Sequence, residues 1–343
     1  MAPPRLDPKR RKKMGLLRRR SFLAGSVAAA LFAPHVARAA LRVARLANGA
    51  AARSPSGVCA DSLAAAVAAH PVLNSILRID VHQDAELGDD LTTLRGCIDG
   101  TVDLANVGTT VASSIVPEIG VLDIPFLFRS VAAARAALDG APRQDLVELL
   151  QGKGIHLLAW TENGVRHITA NKPIRTPSDL AGLKLRVPPS EVVIGAFRAL
   201  GAKAGPVPFP EVYEALRTGA YEAQENPLGL IETSRFYEVQ KVLSLTGHAY
   251  SAGLVVVSPD LLEDLTAPQR QALQTCATIA QNASRAAADA AQRLGVGILA
   301  ARGMTVVSDV DVAALVKANR PYLESLEQKF GHDRLARLQH ANG

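Results

Sequence analysis

Residues 179–188 read Asp-Leu-Ala-Gly-Leu-Lys-Leu-Arg-Val-Pro and pass from a predicted helix to a predicted strand. A proline followed by Ser178-Asp179 predicts the start of a short helical turn, and Gly182 predicts its end. The run Lys184–Val187 predicts a short apolar strand, which the next proline closes. A helix and a strand punctuated in this way are typical of an α/β fold.

The same alternation continues in both directions along the chain. Short β-like runs are separated by longer stretches rich in alanine and leucine, and Gly, Pro or Asp marks the switches. This pattern predicts an α/β protein. The predicted strands are Leu41–Leu46, Leu77–Val81, Leu104–Val107, Ile155–Trp160, His167–Ala170, Lys184–Val187, Lys203–Val207, Leu243–Thr246, Gly253–Ser258 and Thr305–Val307.

One long helix is predicted in the last third of the chain. Thr266-Ala267-Pro268-Gln269 places a proline at a first helical position, and no proline follows before Arg302. A helix of roughly 35 residues at about 1.5 Å each reaches about 50 Å. We therefore expect this helix to bridge two domains, which a chain of this length is large enough to form.

The first 39 residues have the pattern of an export signal. Arg18-Arg19-Arg20-Ser21-Phe22-Leu23 precedes an apolar stretch, and Ala37-Arg38-Ala39 forms a small-x-small cleavage pattern. The adjacent arginines resemble the twin-arginine signal of bacteria. A general secretory signal and an uncleaved anchor are the alternatives, although roughly ten apolar residues are few for a span that needs about twenty. We expect a periplasmic protein, with the signal peptide cleaved near Ala39.

The charge of the chain depends on this segment. The full sequence has a formal net charge of +6, and removal of the ten basic residues and one acid of residues 1–39 leaves −3. A basic chain would otherwise point to nucleic acid or anionic lipid as a partner. Because the basicity belongs to the export segment, we expect no nucleic-acid partner.

The cysteines and the short motifs favour binding over catalysis. Cys59, Cys97 and Cys276 are odd in number and have no C-x-x-C spacing, so either one disulfide or buried free thiols fit. The sequence contains no G-x-S-x-G, H-E-x-x-H or G-x-x-x-x-G-K-[ST] motif. We therefore expect no catalytic residues, no cofactor and no metal ligands.

Arg186, in the opening stretch, is the first candidate for a binding residue. It lies near the end of a short apolar strand, where an arginine is costly to bury unless it meets an anion. Its planar guanidinium matches a carboxylate with two parallel hydrogen bonds. A structural salt bridge to an acid on the neighbouring helix explains the position equally well, so the spacing leaves both interpretations open.

A weak internal repeat indicates two similar halves. Leu94-Arg95 is followed by the run 100–106, and Leu216-Arg217 is followed by the run 219–226. In both segments a predicted helix ends at a glycine, and a strand-like run then leads to an asparagine. We expect each asparagine to lie at the carboxyl end of a strand, where open α/β sheets bind ligands. A chance match remains the alternative.

Several longer motifs together resemble one protein family. They are Val121–Phe128, Asp179–Pro188, Val207–Gly219 with its continuation Gln224–Pro227, and Glu86–Asp90 ahead of the turn at residues 100–103. In this order they resemble the periplasmic solute-binding subunits of TRAP (tripartite ATP-independent periplasmic) transporters, of the DctP type. The resemblance covers nearly all of the chain after residue 39.

The resemblance implies a periplasmic-binding-protein-like α/β fold with two lobes, a hinge and a long helix that spans both. We expect lobe I to comprise residues 40–163 and about 252–291, and lobe II residues 164–251 and about 292–343. The resemblance also implies capture of a small organic carboxylate, such as a dicarboxylate, a 2-oxo acid or a sugar acid, in the cleft. The ligand would then pass to the permease subunits in the membrane.

Single residues also acquire roles from the resemblance. Arg186 matches the arginine that clamps the ligand carboxylate, and Arg166 matches a second arginine of the pocket. Asn226 matches an amide that contacts the ligand, and Phe209 falls where the family packs an aromatic side chain against it. Tyr250 is a further candidate for the cleft.

The assignments in lobe I rest on a poorer match. Residues 48–53 and 69–73 depart from the family pattern. Segments that supply specificity contacts in relatives contain Asn48, Glu86, Asn106 and Gly108.

Two other functions fit the same pocket. The chain could pass its ligand to a membrane signalling receptor instead of a permease, or act as an exported enzyme on a binding-protein scaffold. Neighbouring genes for a large and a small permease subunit would favour transport, whereas a sensor kinase alone would favour signalling. Turnover of a bound acid would reveal an enzyme.

Overall fold

The structure, a computed structural model, describes residues 41–340 and centres on one mixed β-sheet. The predicted signal peptide, residues 1–39, lies outside the described residues. Within the described part, the strands are Arg42–Asn48 (β1), Leu77–His82 (β2), Leu104–Gly108 (β3), His156–Ala170 (β4), Lys184–Val187 (β5), Lys203–Pro206 (β6), Ala223–Pro227 (β7), Val242–Val257 (β8) and Thr305–Val307 (β9).

Helices connect these strands, as the alternating sequence pattern predicts. They are Pro55–Ala69 (α1), Asp90–Ile98 (α2), Thr109–Ala112 (α3), Val131–Asp139 (α4), Pro142–Gln151 (α5), Glu191–Ala199 (α6), Val212–Arg217 (α7), Leu228–Thr233 (α8), Pro259–Asp264 (α9), Ala267–Ala301 (α10), Val312–Phe330 (α11) and His332–Gln339 (α12). Short 3₁₀ turns cover Pro117–Asp123, Pro177–Leu180, Phe209–Glu211 and Phe236–Glu238. None of the helices within residues 41–340 combines the length and the hydropathy of a membrane-spanning segment.

The strand order separates two parallel groups with two long strands between them. The order is β2-β1-β3-β8-β4-β7-β5-β6, and β9 pairs with β8. β1 runs parallel to β2 and β3, and β5 runs parallel to β6 and β7. β4 and β8 are antiparallel to each other and to the groups beside them. The carboxyl ends of β1 and β3 therefore belong to one group, and those of β5, β6 and β7 to the other.

Apolar residues on both faces of β8 explain why helices cover both faces of the sheet. Successive side chains of a strand point to opposite faces. Leu254 and Val256 pack with α4 and α5 in one core cluster, whereas Val255 and Val257 pack with α1 and α10 in another. All four side chains are at most 2% exposed. The sheet is thus buried on both sides, as parallel sheets generally are.

The long helix and the strands confirm most of the sequence prediction. α10 has 35 residues, and Thr266 and Gln269 form a capping box at its start. In contrast, the two strands predicted over residues 155–160 and 167–170 are one strand, β4, and those predicted over 243–246 and 253–258 are one strand, β8. The polar residues that separated the apolar runs are buried in mid-strand instead of forming loops.

The internal repeat corresponds to two similar helix–turn–strand units. After α2 the chain turns at Gly100, with a φ of +82°, and enters β3; after α7 it turns at Gly219, with a φ of +74°, and enters β7. Both turns use the left-handed region that glycine tolerates best. Each unit carries an asparagine in its strand: Asn106 is the middle residue of β3, and Asn226 is the next-to-last residue of β7. Cys59, Cys97 and Cys276 are buried free thiols.

Candidate functional site

A cavity of about 290 Å³ lies where the carboxyl ends of the two parallel groups meet. Its walls combine apolar side chains and several prolines with a set of polar groups. The polar residues that line it are Asn48, Ser56, Asp89, Asp90, Asn106, Thr110, Asn163, Arg166, Arg186, Asn226 and Ser251. Apolar walls with a few convergent polar groups are typical of small-molecule sites.

Arg186 presents one free donor to this cavity. β5 ends one residue later, and the side chain is 1% exposed. Its Nε and Nη2 donate to the carbonyl oxygen of Val207 at 3.0 and 2.7 Å. Its Nη1 is buried and has no hydrogen-bond partner among residues 41–340, and no carboxylate of those residues lies within 4.0 Å. Burial lowers the pKa of Arg186 to about 10, which leaves the guanidinium charged at neutral pH.

Arg166 is already neutralised by an acid. Its Nε and Nη2 donate to the two carboxylate oxygens of Glu225 at 2.5 and 2.8 Å, and its Nη1 donates to Ser251 Oγ at 3.0 Å. His248 Nε2 lies 2.9 Å from the same carboxylate. Burial alone would raise the pKa of Glu225, but Arg166 and His248 lower it to about 2. We call Arg166, Glu225, His248 and Ser251 the Arg166 cluster.

Asn226 joins the Arg166 cluster to the cavity. Its Oδ1 accepts from Arg166 Nη2 at 3.2 Å, and its Nδ2 donates to Gln224 Oε1 at 2.6 Å. Because an amide nitrogen carries two hydrogens, Nδ2 keeps one donor in addition to that bond. Phe209 lines the cavity and packs edge-on against Phe236, with ring centroids 6.2 Å apart. This contact orients an aromatic wall.

The opposite wall comes from β1 and β3, where Asn48, the last residue of β1, lies in register beside Asn106, the middle residue of β3. Asn48 Nδ2 donates to Ala50 O and to Gln83 Oε1, both at 2.7 Å. Asn106 Nδ2 donates to Ser56 O at 2.9 Å. Both amides are at most 3% exposed and are held rigidly. The two amides therefore give this wall fixed, uncharged polar groups.

Two cavity residues, Asp90 and Asn163, were not predicted as site residues. Asp90 is the first residue of α2, and its Oδ2 accepts from the N–H of Gly108 at 3.3 Å. Burial raises the pKa of Asp90 to about 6. Asn163 Oδ1 is buried and has no hydrogen-bond partner among the described residues. No local pattern marks these residues, because the fold brings them together from segments far apart in the chain.

Two predicted site residues do not line the cavity. The Glu86 side chain is 64% exposed, and its Oε1 lies 3.0 Å from His82 Nδ1. Tyr250 points into the core, where its hydroxyl donates to Glu162 Oε2 at 2.9 Å and its ring packs edge-on against Phe128. Arg135 also pairs with Glu162 at 2.7 Å. The other five predicted residues, Arg186, Arg166, Asn226, Phe209 and Asn48, are brought together in the cavity.

This arrangement suits the binding of a small anion. One unpaired guanidinium donor, several fixed amides and an aromatic wall converge on one space. Among residues 41–340 no group of three or more His, Cys, Asp or Glu side chains is arranged to hold a metal ion.

Comparison with known proteins identifies relatives of the same kind. Residues 46–329 match the profile of bacterial extracellular solute-binding protein, family 7 (DctP). The 2,3-diketo-L-gulonate-binding periplasmic protein YiaO of Escherichia coli is 38% identical over 243 residues, which cover 71% of this chain and 74% of that protein.

Solved structures resemble the whole described fold. A TRAP periplasmic solute-binding protein from Polaromonas, bound to D-erythronate, superposes with a TM-score of 0.85 at 34% identity, over 88% of this chain and 99% of that one. A sugar acid binding protein from Advenella mimigardefordensis in complex with galactonate gives a TM-score of 0.83 at 31% identity, over 88% and 97% of the two chains.

Proposed function

Because the chain belongs to the DctP family of bacterial extracellular solute-binding proteins, family 7, we propose that it is the solute-binding subunit of a TRAP transporter. Its ligand is a small organic carboxylate: a dicarboxylate, a 2-oxo acid or a sugar acid. The observation that carries this proposal is Arg186, whose buried Nη1 faces the cavity without a partner among the described residues. A ligand carboxylate supplies the missing acceptor in a charge-assisted hydrogen bond.

The proposal includes closure of two lobes around the ligand. Lobe I is residues 40–163 and about 252–291, and lobe II is residues 164–251 and about 292–343. Strand pairing supports this division: residues 253–257 of β8 pair with β3, whereas residues 166–170 of β4 pair with β7. The pairing of β4 with β8 shifts register between Glu162 and Gly164, next to the proposed boundary. Irregular pairing there supports a hinge between the lobes.

Export and delivery complete the proposed function. The arginine-rich segment 1–39 directs the chain to the periplasm, and permease subunits in the membrane receive its ligand. Uptake of a labelled acid into vesicles that contain the permease should require this chain. If the chain instead activates a sensor kinase and supports no uptake, it serves a receptor.

A screen of the chain without residues 1–39 tests the binding function. Thermal unfolding is measured with organic acids and with neutral polyols of the same carbon number. At about 100 times its dissociation constant a specific acid should stabilise the fold by about 2.7 kcal/mol, and it should be recovered unchanged. Stabilisation by neutral sugars or peptides but by no acid would contradict the proposal.

A further inference from the structure

The charged side chains that line the cavity differ in whether they have a partner within the protein. Four charged side chains face it: Arg166, Arg186, Asp89 and Asp90. Arg166 is paired with Glu225. Asp89 caps α2, since its Oδ1 accepts from the N–H of Thr92 at 2.8 Å. Within residues 41–340, Arg186 is thus the cavity's one cation without an acidic partner, and Asp90 is the cavity acid that neither pairs with a cation nor caps a helix with its side chain.

The Asp90 carboxylate is held in place but is not saturated. Its Oδ2 has the single hydrogen bond from Gly108. Its Oδ1 lies over Gly49, where a Cβ would come within 2.1 Å, and it accepts no hydrogen bond from the described residues. A glycine at position 49 is what gives this oxygen room beside the cavity.

Unpaired hydrogen-bonding groups of the cavity define the chemistry of its occupant. Among the described residues, Arg186 Nη1 is a buried donor without an acceptor and Asn163 Oδ1 a buried acceptor without a donor, while the Asp90 carboxylate accepts only the Gly108 N–H. A carboxylate supplies only acceptors, whereas a hydroxyl supplies a donor. One carboxylate therefore satisfies Arg186, and hydroxyl groups satisfy the other two.

Among the described residues, the cavity has no second unpaired cation to bind a second carboxylate. It would share the cavity with neutral amides and the Asp90 carboxylate. Juxtaposed like charges are strongly unfavourable in sites shielded from water. The remaining cation, in the Arg166 cluster, is already bound to the buried Glu225.

We infer that the ligand is a polyhydroxy monocarboxylate, a sugar acid with a single carboxylate, and that Asp90 accepts a ligand hydroxyl and excludes a second carboxylate. This inference rests on the proposed function and narrows it from three ligand classes to one. The carboxylate binds at Arg186, and the hydroxylated end of the chain extends towards α2.

Matched acids that differ at one carbon test the inference. D-Erythronate and meso-tartrate share a four-carbon chain and differ only in that the terminal hydroxymethyl group of the first is a carboxylate in the second. D-Galactonate and galactarate form the same pair with six carbons. Titration calorimetry at pH 7.5 should show that the wild type binds the monocarboxylate of the better-fitting pair with about 100-fold or more higher affinity than the dicarboxylate. Each factor of ten in affinity corresponds to about 1.4 kcal/mol.

Asp90→Asn should reduce this preference at least about tenfold, because the amide keeps the shape but loses the charge and one acceptor. The matched control is Asp99→Asn, which changes an exposed acid at the other end of α2, outside the cavity, and should keep the preference.

A second measurement needs no variant. The charged groups that face Asp90 are Asp89 and Arg186, and lowering the pH of the wild type from 7.5 to 5 protonates Asp90 and should narrow the preference in the same way.

The ligand class, the role of Asp90 and the proposed function are each contradicted by a different binding result. Equal binding of the diacid and the monocarboxylate by the wild type would overturn the inference but leave the proposed function in place. An unchanged preference both in Asp90→Asn and at pH 5 would overturn the role of Asp90. If no carboxylate of either length binds but a neutral sugar or peptide does, the proposed function itself fails.

Discussion

Arg186 and the Arg166 cluster show that two buried arginines lining one cavity are not equivalent. Arg166 meets both oxygens of Glu225 and the hydroxyl of Ser251. Arg186 meets only the Val207 carbonyl and keeps Nη1 free of partners among the described residues. Exposure does not separate them, since both are at most 5% exposed.

The difference teaches that the partner of a buried arginine decides its role. A guanidinium that is already paired with a protein carboxylate contributes to the fold, and its positive charge is neutralised within the protein. A guanidinium without an anion is costly to bury, so a bound carboxylate gains the most there. We therefore expect loss of Arg166 to affect mainly stability and loss of Arg186 to affect mainly binding.

The largest expected effect is on stability at the Arg166 cluster. Arg166→Ala leaves Glu225 buried without its main partner, and removal of one partner from a buried ion pair typically costs about 3–5 kcal/mol. Urea unfolding measures this loss. Arg186→Ala, the matched control, leaves only the Val207 carbonyl without its donor and should cost about 1–3 kcal/mol. Equal losses in the two variants would show that the arginines are not different in role.

The next effect is on ligand affinity at Arg186. Arg186→Lys keeps the positive charge but loses the planar fork, and we expect about a 100-fold loss of affinity for the acid, equivalent to about 2.7 kcal/mol. Titration calorimetry gives the value. Arg198→Lys is the matched control, because Arg198 also donates to a backbone carbonyl, that of Ala204 at 3.1 Å, but lies outside the cavity. Normal binding by Arg186→Lys would contradict the assignment.

A smaller effect is expected at Asn226, which lies between the two arginines. Removal of one neutral hydrogen bond to the ligand costs about 0.5–1.5 kcal/mol, or roughly 2–13-fold in affinity. Asn226→Ala should lose affinity within this range. Asn171→Ala serves as control, because Asn171 is exposed and accepts from the Lys241 N–H away from the cavity. A loss as large as that of Arg186→Lys would mean that Asn226 shares the main anchoring role.

The smallest effect concerns pH and contrasts two buried acids near Arg166. Arg166 and His248 oppose burial and lower the pKa of Glu225 to about 2, so its contribution is present above pH 4.5 and is lost as the pH falls through 2. Burial raises the pKa of Asp123 to about 6, although Thr109 and Ser190 donate to it. The contribution of Asp123 is therefore present below pH 3.8 and is lost as the pH rises through 6.

Between pH 7 and pH 5 only Asp123, of these two acids, changes its protonation. Its protonation should add about 1 kcal/mol to the free energy of unfolding as the pH falls. Denaturant unfolding of the wild type and of Asp123→Asn at the two pH values gives the difference. Burial also raises the pKa of Asp90 to about 6, so Asp90 titrates in both proteins, and the variant should gain about 1 kcal/mol less than the wild type. An equal increment in both proteins would assign it to another group.

The sequence predicted the fold well wherever apolar runs were continuous. The position of α10 follows from one proline and the composition after it. β4 and β8 were each predicted as two strands because polar residues interrupt their apolar pattern. In the structure Glu162 of β4 accepts a hydrogen bond from Tyr250 of β8 and forms an ion pair with Arg135 of α4. Such pairing joins residues far apart in the chain, and local periodicity carries no sign of it.

For the same reason, the sequence predicted only part of the site. The sequence left Arg186 open between a ligand and an acid on the neighbouring helix, and the structure shows neither an acid nor any other partner at Nη1 within the described residues. Glu225 lies 59 residues from Arg166 in the chain. Spacing therefore gave no means of telling that Arg166 is paired, nor that Asp90 faces the cavity.

A crystal structure of the chain with a bound polyhydroxy monocarboxylate tests the difference between the two arginines most directly. We predict a ligand carboxylate oxygen about 2.7–2.9 Å from Arg186 Nη1, with the bonds from Arg166 to Glu225 intact. A ligand carboxylate bound to Arg166 in place of Glu225, with Arg186 Nη1 still unpaired, would contradict this assignment.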